Sequence, residues 1–187
     1  ECIGATLEDP LGATFAQGRK ALFKDMERTL EELSAHLPRT LTDSLREQLE
    51  RIQALSQDIQ LIEKRLGLQL KEDAQMRRIA RIPGVGLLTA TAAIATMGQA
   101  SAFKSGREFC AWLGLVPKQT GSGGRVRLGG ISRRGDTYLR TLLIHGARSV
   151  LSHAKQPGPW LAQIKARRPA NVVIVAQAAK MARTIWA

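Results

Sequence analysis

Apolar positions recur at helical spacing along most of the chain. Leu22, Met26, Leu30 and Leu33 fall three or four residues apart, with Glu27, Glu31 and Glu32 between them. That predicts an amphipathic helix over 19–36, which Pro38 ends. Thr42 or Asp43 can cap the next helix. In it Leu45, Ile52, Ile59 and Leu66 repeat every seven residues and Leu55 and Ile62 occupy the matching second set. Gln48 and Gln69 interrupt that seam at its ends. A short heptad stripe has two readings of equal weight. One is an αα-hairpin with residues 19–36; the other is an oligomerising, coiled-coil arm over 41–70. Gly67 weakens the helix near its end, and a third helix over 70–81 follows.

From Ile79 to Arg140 the pattern changes. Ile82-Pro83-Gly84-Val85-Gly86 lies between two helical patterns. The spacing resembles a helix-hairpin-helix, in which Gly84 and Gly86 let a nucleic-acid backbone approach and the next helix offers free N–H groups to a phosphate. An ordinary helix–helix turn is the other reading. Residues 87–97 are almost wholly apolar, which predicts a buried helix that Gly98 ends. A basic loop over 101–107 and a short helix over 107–114 follow, with Phe109, Trp112 and Leu113 assigned to packing. Lys118 to Gly135 is rich in glycine, with Arg125, Arg127, Arg133 and Arg134 interspersed, and Val126-Arg127-Leu128 alternates like a hairpin strand. Asp136 is placed to cap a helix over 137–153. A turn at 155–159, a basic helix over 160–168, a break at Pro169 and an apolar helix over 171–186 complete the chain. Residues 1–18 carry Gly4, Pro10, Gly12 and Gly18 without periodicity. They read as a linker or the tail of a preceding domain. The fold class is mainly α: a helical, coiled-coil arm over 19–80, then a compact helical domain over 81–187 with a helix-hairpin-helix-like motif and a Gly/Arg-rich loop.

Composition supports that reading and adds a partner. Hydrophobic content is 44% but aromatic content only 4% of 187 residues, so Leu, Ala and Ile must build the core. The net charge of +12 points to a polyanion. It is unevenly placed: 12 basic against 14 acidic residues before residue 81 give −2, whereas 16 basic against Glu108 and Asp136 alone give +14 after it. Cys2 and Cys110 are far apart and lack a C-x-x-C spacing, which argues for a reducing compartment. His36, His145 and His153 have no zinc-site spacing. No apolar run is long enough to span a bilayer. The chain opens on Glu1 without an initiator Met and reads as a piece of a longer protein.

These residues narrow the chemistry. A two-metal nuclease needs clustered carboxylates, and two acids after residue 80 cannot supply them. A Ser–His–Asp relay through His145 and Asp136 has no strand–G-x-S-x-G–helix setting. A serine attacking a phosphodiester, with guanidiniums clamping the phosphate, fits better. Ser122, between Gly121 and Gly123, is the first candidate and Ser132, beside Arg133 and Arg134, the second. A serine in such a loop can equally be a turn former or a phosphate contact. The candidate DNA contacts are Gly84, Gly86, Lys118, Arg125, Arg127, Arg133, Arg134 and Arg140.

Taken together, Ile82-Pro83-Gly84-Val85-Gly86, Ala111-Trp112-Leu113-Gly114-Leu115-Val116-Pro117, Ser122-Gly123-Gly124, Gly130-Ile131-Ser132-Arg133-Arg134-Gly135-Asp136 and Tyr138-Leu139-Arg140 resemble the C-terminal domain of insertion-sequence transposases. The group is the IS-one-ten and IS-eleven-eleven type, related to the Piv and MooV invertases. The resemblance covers roughly residues 75–187. It implies a DNA recombinase whose RuvC-like N-terminal domain, with a DEDD acidic set binding Mg²⁺, has no counterpart here. It implies a serine nucleophile matching Ser122, although some members carry Thr there. It also implies a structured bridge RNA as guide and DNA as substrate, in the bacterial cytoplasm at the nucleoid. On this reading residues 1–187 alone bind nucleic acid and catalyse nothing.

Overall fold

Residues 19–34, 36–121, 125–156 and 158–187 are described by a computed structural model. They are mainly α-helical, and they divide into two units between Glu63 and Lys64.

The first unit holds α1 (Arg19–Leu33) and most of α2 (Arg39–Glu72). Pro38 starts α2, its carbonyl accepting from the Leu41 and Thr42 backbone N–H groups. α1 returns alongside α2: the Gln53 side-chain amide donates to Glu27 at 2.6 Å, and Leu49 is buried between the helices. Leu49 and Thr42 are the buried residues of α2, and neither belongs to the heptad stripe. Leu45, Ile52, Leu55, Ile59 and Ile62 remain 40–54% exposed. Gly67 does not end the helix. α2 runs on to Glu72, where Arg77 covers the Lys71 carbonyl (2.7 Å) and Asp73 caps the next helix by accepting from the Gln75 and Met76 N–H groups.

The second unit is built on that cap. α3 (Ala74–Ala80), shorter than the helix expected over 70–81, buries Met76 and Ile79 in the core and packs on α4 (Leu87–Met97). α5 (Gly106–Trp112) starts at Ser105, whose hydroxyl accepts from Glu108 N–H while Glu108 accepts from Lys104 N–H. This reciprocal cap is what the basic loop over 101–107 contains. β1 (Pro117–Thr120) and β2 (Arg127–Ile131) form an antiparallel hairpin. α6 (Thr137–His153), α7 (Pro159–Arg167) and α8 (Ala170–Trp186) complete the unit, with α8 packed on α5, α6 and α7. Phe109, Leu113, Leu139, Leu143 and Val173 are fully buried, and Ala90, Ala93, Ala147, Ala178 and Ala182 lie among them. Small residues let helix axes come close, so few aromatics are needed to fill the interior.

One crossing explains a glycine differently from the sequence reading. Gly84 (φ +84°) turns towards α6, where an added Cβ would sit 2.6 Å from the Gly146 carbonyl oxygen. A Cβ on Gly146 would in turn fall on the Gly84 carbonyl. Packing against α6 is thus sufficient to require a glycine at Gly84. Substituting Gly146 with Ala is expected to lower stability by about 2–3 kcal/mol through overpacking, measured by urea unfolding with an unchanged m-value.

Candidate nucleic-acid interface

The interface is assembled where α5 ends. Gly114 takes φ +71°, and Leu115 N–H bonds back to the Cys110 carbonyl at 3.2 Å. The chain then leaves the core as β1. Pro117 pairs with Ile131, Gln119 with Leu128 and Thr120 with Arg127, so an irregularity falls at Lys118. Every residue of β1 is exposed, and on β2 all but Ile131. Val126 and Leu128 are 66% and 65% exposed and alternate with Arg125 and Arg127. A two-stranded hairpin is marginal in water unless one face is covered. Here neither face is covered by the described residues. Gly121 is needed at the end of β1, because a Cβ there would collide with the Arg125 carbonyl. Ser122, Gly123 and Gly124 lie outside the described residues.

The return segment is locked onto the end of α5 by its backbone. Ser132 N–H donates to the Val116 carbonyl at 2.9 Å and Arg133 N–H to the Gly114 carbonyl at 3.2 Å. Added Cβ atoms on Gly114 and Gly135 would strike the Arg134 backbone and the Trp112 carbonyl respectively. Arg133 is held at φ +57°, a left-handed conformation that costs a non-glycine residue about 1–2 kcal/mol. Arg133 and Arg134 are both exposed. Asp136 caps α6, accepting from Leu139 N–H at 2.6 Å.

Arg140 departs from the sequence expectation. It is 7% exposed, so it does not face a phosphate. Its Nη1 donates to the Leu113 carbonyl at 3.0 Å and the Arg134 carbonyl at 2.7 Å, and Nη2 donates to Thr137 Oγ1 at 3.1 Å. One guanidinium therefore ties the end of α5, the Arg133–Arg134 turn and the start of α6 together. Thr137 and the carbonyl acceptors carry no charge, so nothing in the sequence marks them as the partners of Arg140.

The other expected residues are distributed as follows. Lys118, Arg125, Arg127, Arg133 and Arg134 are exposed on the hairpin and its return turn. Gly86 is exposed at the start of α4, with open space where a Cβ would stand. Ser132 Oγ is out of solvent and has no hydrogen-bond partner among the described residues, so it is not presented to a DNA strand. Burial pushes the Cys110 thiol up from its ordinary range, against the opposing pull of Arg183, which leaves it a neutral core group. No cluster of three or more His, Cys, Asp or Glu side chains converges among the described residues. Glu108 and Asp136 are both engaged in helix caps, and the family resemblance implies its Mg²⁺ through the DEDD set of an N-terminal domain rather than through these two carboxylates.

The match to known proteins agrees with this basic, hairpin-bearing unit. Residues 76–162 match the Transposase IS116/IS110/IS902 family, and the chain belongs to that family. It is 43% identical over 175 residues to a probable family 20 transposase of Pseudomonas aeruginosa, covering 91% of this chain and 52% of that protein. It is 38% identical over 184 residues to the transposase for insertion sequence element IS1111A of Coxiella burnetii, covering 94% of this chain and 50% of that protein. A third relative, the transposase for insertion sequence element IS1328 of Yersinia enterocolitica, is 38% identical over 136 residues, covering 71% of this chain and 41% of that protein. The chain spans about half the length of the first two relatives. No helix among the described residues is long and apolar enough to cross a membrane.

Proposed function

We propose that this chain is the DNA-binding part of a transposase that cuts and rejoins DNA strands through Ser122, guided by a structured RNA and working at the bacterial nucleoid. The observation that carries the reading is the exposed hairpin and its return turn. Lys118, Arg125, Arg127, Arg133 and Arg134 stand on it in solvent, and the loop between them contains no carboxylate. Such a surface attracts phosphates, and its glycines leave room for a strand. In the cleavage step the Ser122 oxygen would form a bond to the scissile phosphorus. The phosphorus–oxygen bond to one deoxyribose would break, the serine proton leaving and the released sugar oxygen taking one up. The surrounding guanidiniums would stabilise charge building on the phosphoryl oxygens. Gly86 and the first N–H groups of α4 would hold a neighbouring phosphate.

A salt titration of the affinity of this chain for duplex DNA and for structured RNA tests the binding half of the proposal. The expected result is a steep loss of affinity with salt. Changing Arg133 and Arg134 together to Gln should flatten the log–log slope for duplex DNA by about 1.8, two phosphate contacts at about 0.9 each, without lowering the melting temperature. An unchanged slope would exclude these arginines from the interface.

The bare stripe on α2 supports a homo-oligomer formed through residues 41–70. Five large aliphatic side chains at coiled-coil spacing stay 40–54% exposed among the described residues. The double substitution Ile52→Glu, Ile59→Glu should shift the chain to the monomer in sedimentation equilibrium while leaving its helix content unchanged. Persistent oligomers would move the interface elsewhere.

A further inference from the structure

Beside the hairpin root lies an open cavity of about 440 Å³ that the reading above does not use. Pro117 and Val116 form one wall, Val175 on α8 another, and the Trp160 indole a third. Arg107 on α5 and Arg183 on α8 also line it, and no carboxylate does. Glu108, the acid next to Arg107, is held by Lys104 N–H. Lys180 Nζ stands 4.5 Å from the centre of a Trp160 ring and lines the neighbouring cavity instead, so it braces the indole without filling this space.

The lining selects the ligand. Aliphatic walls with an aromatic face reject a bare phosphate, which needs several polar partners. Two guanidiniums in the same wall argue against a purely aliphatic guest. A flat, apolar group bearing an anion satisfies both, and the volume lies within the range of small-molecule sites. The position is also suggestive. Pro117 is three strand steps from Thr120, or about 10 Å at about 3.3 Å per residue, so a strand held at the hairpin passes close to the cavity mouth.

We propose that this cavity receives one unpaired nucleobase of the bound DNA strand, stacked on Trp160, with Arg107 and Arg183 holding its flanking phosphates. The assignment rests on the DNA-binding reading above. It gives the domain a preference for DNA that is locally unpaired, the state through which strands must pass in exchange.

The test uses this chain and two DNA duplexes that differ only in a single bulged 2-aminopurine. The bulged duplex should bind about tenfold more tightly, the stacking gain typical of one base on an aromatic side chain, and its 2-aminopurine fluorescence should fall on binding. Trp160→Ala should abolish both effects, and Trp160→Phe should retain most of each. The exposed pair Arg107→Gln, Arg183→Gln should reduce the preference without loss of fold. Equal affinity for the two duplexes would overturn the cavity assignment while leaving the phosphate-binding face intact. So would the same tenfold gain from an abasic bulge, which would place flexibility rather than a base at the origin of the preference. Absence of binding to either duplex at low salt would overturn the DNA-binding reading itself, and the cavity assignment with it.

Discussion

Replacing Ser122 with alanine in a transposition-competent protein carrying this chain is expected to lower strand cleavage by about a thousandfold or more, while DNA affinity stays within about twofold. A hydroxyl that forms the covalent bond has no substitute in alanine, and loss of a nucleophile costs far more than loss of a single binding contact. The measurement is direct. A suicide substrate with a nick beside the scissile phosphate should trap a protein–DNA adduct with the parent protein and none with Ser122→Ala. Ser122→Thr should retain part of the activity, because a secondary hydroxyl in the same loop remains able to attack. If Ser122→Ala cleaves normally, Ser122 is a turn former and the domain a binding module. Ser132 would not inherit the role readily, since its hydroxyl is out of solvent on a segment pinned by the Ser132 N–H to the Val116 carbonyl and the Arg133 N–H to the Gly114 carbonyl.

Much of the scaffold behind this loop was legible in the sequence because local chemistry and tertiary packing agree there. The apolar run at 87–97 coincides with α4, and Asp136 caps the helix it was expected to cap. Val126-Arg127-Leu128 announced a strand, although its partner, Pro117–Thr120, carries little strand propensity and is fixed by pairing. Other features depended on contacts that spacing cannot reveal. Gly67 weakens the helix it sits in, but the cost of one glycine is about 1 kcal/mol, and α2 continues past it to Glu72, so the helix expected over 70–81 begins only after the Asp73 cap. Gly84 carries the signature of close backbone approach, and the approach is real: its neighbour is Gly146, 62 positions away on α6. A one-dimensional pattern shows that space is needed without showing what fills it. The heptad stripe left two readings open, and spacing alone does not say that Leu49, outside the stripe, is the buried leucine of α2 while the stripe stays 40–54% exposed.

Arg140 gives the sharpest contrast between a charge read from sequence and a charge placed in a fold. Its guanidinium satisfies two main-chain carbonyls from segments that are 21 residues apart, Leu113 and Arg134, and orients Thr137 besides. Arg140→Met would keep much of the side-chain volume but leave both carbonyls without that donor. The expected loss is about 2–4 kcal/mol, because hydrogen bonds from a charged donor count for more than neutral ones and the stranded acceptors stay desolvated. For a unit of this size that lowers the melting temperature by roughly 10 °C. Arg140→Lys should recover only part of the loss. A single ammonium group lacks the planar fork that reaches two carbonyls and a hydroxyl at once. The effect on DNA should follow from the same geometry. With the brace gone, nothing from α6 holds the Arg134 carbonyl, and Arg133 is free to leave its left-handed conformation, so the exposed pair loses its fixed orientation. Affinity should then fall at every salt concentration, together with the melting temperature. A phosphate clamp would behave in the opposite way: Arg140→Met would leave the melting temperature unchanged and flatten the salt dependence by about 0.9, the share of one phosphate contact. Thermal melts and salt titrations on the same pair of variants therefore separate a residue that touches DNA from one that holds the residues that do.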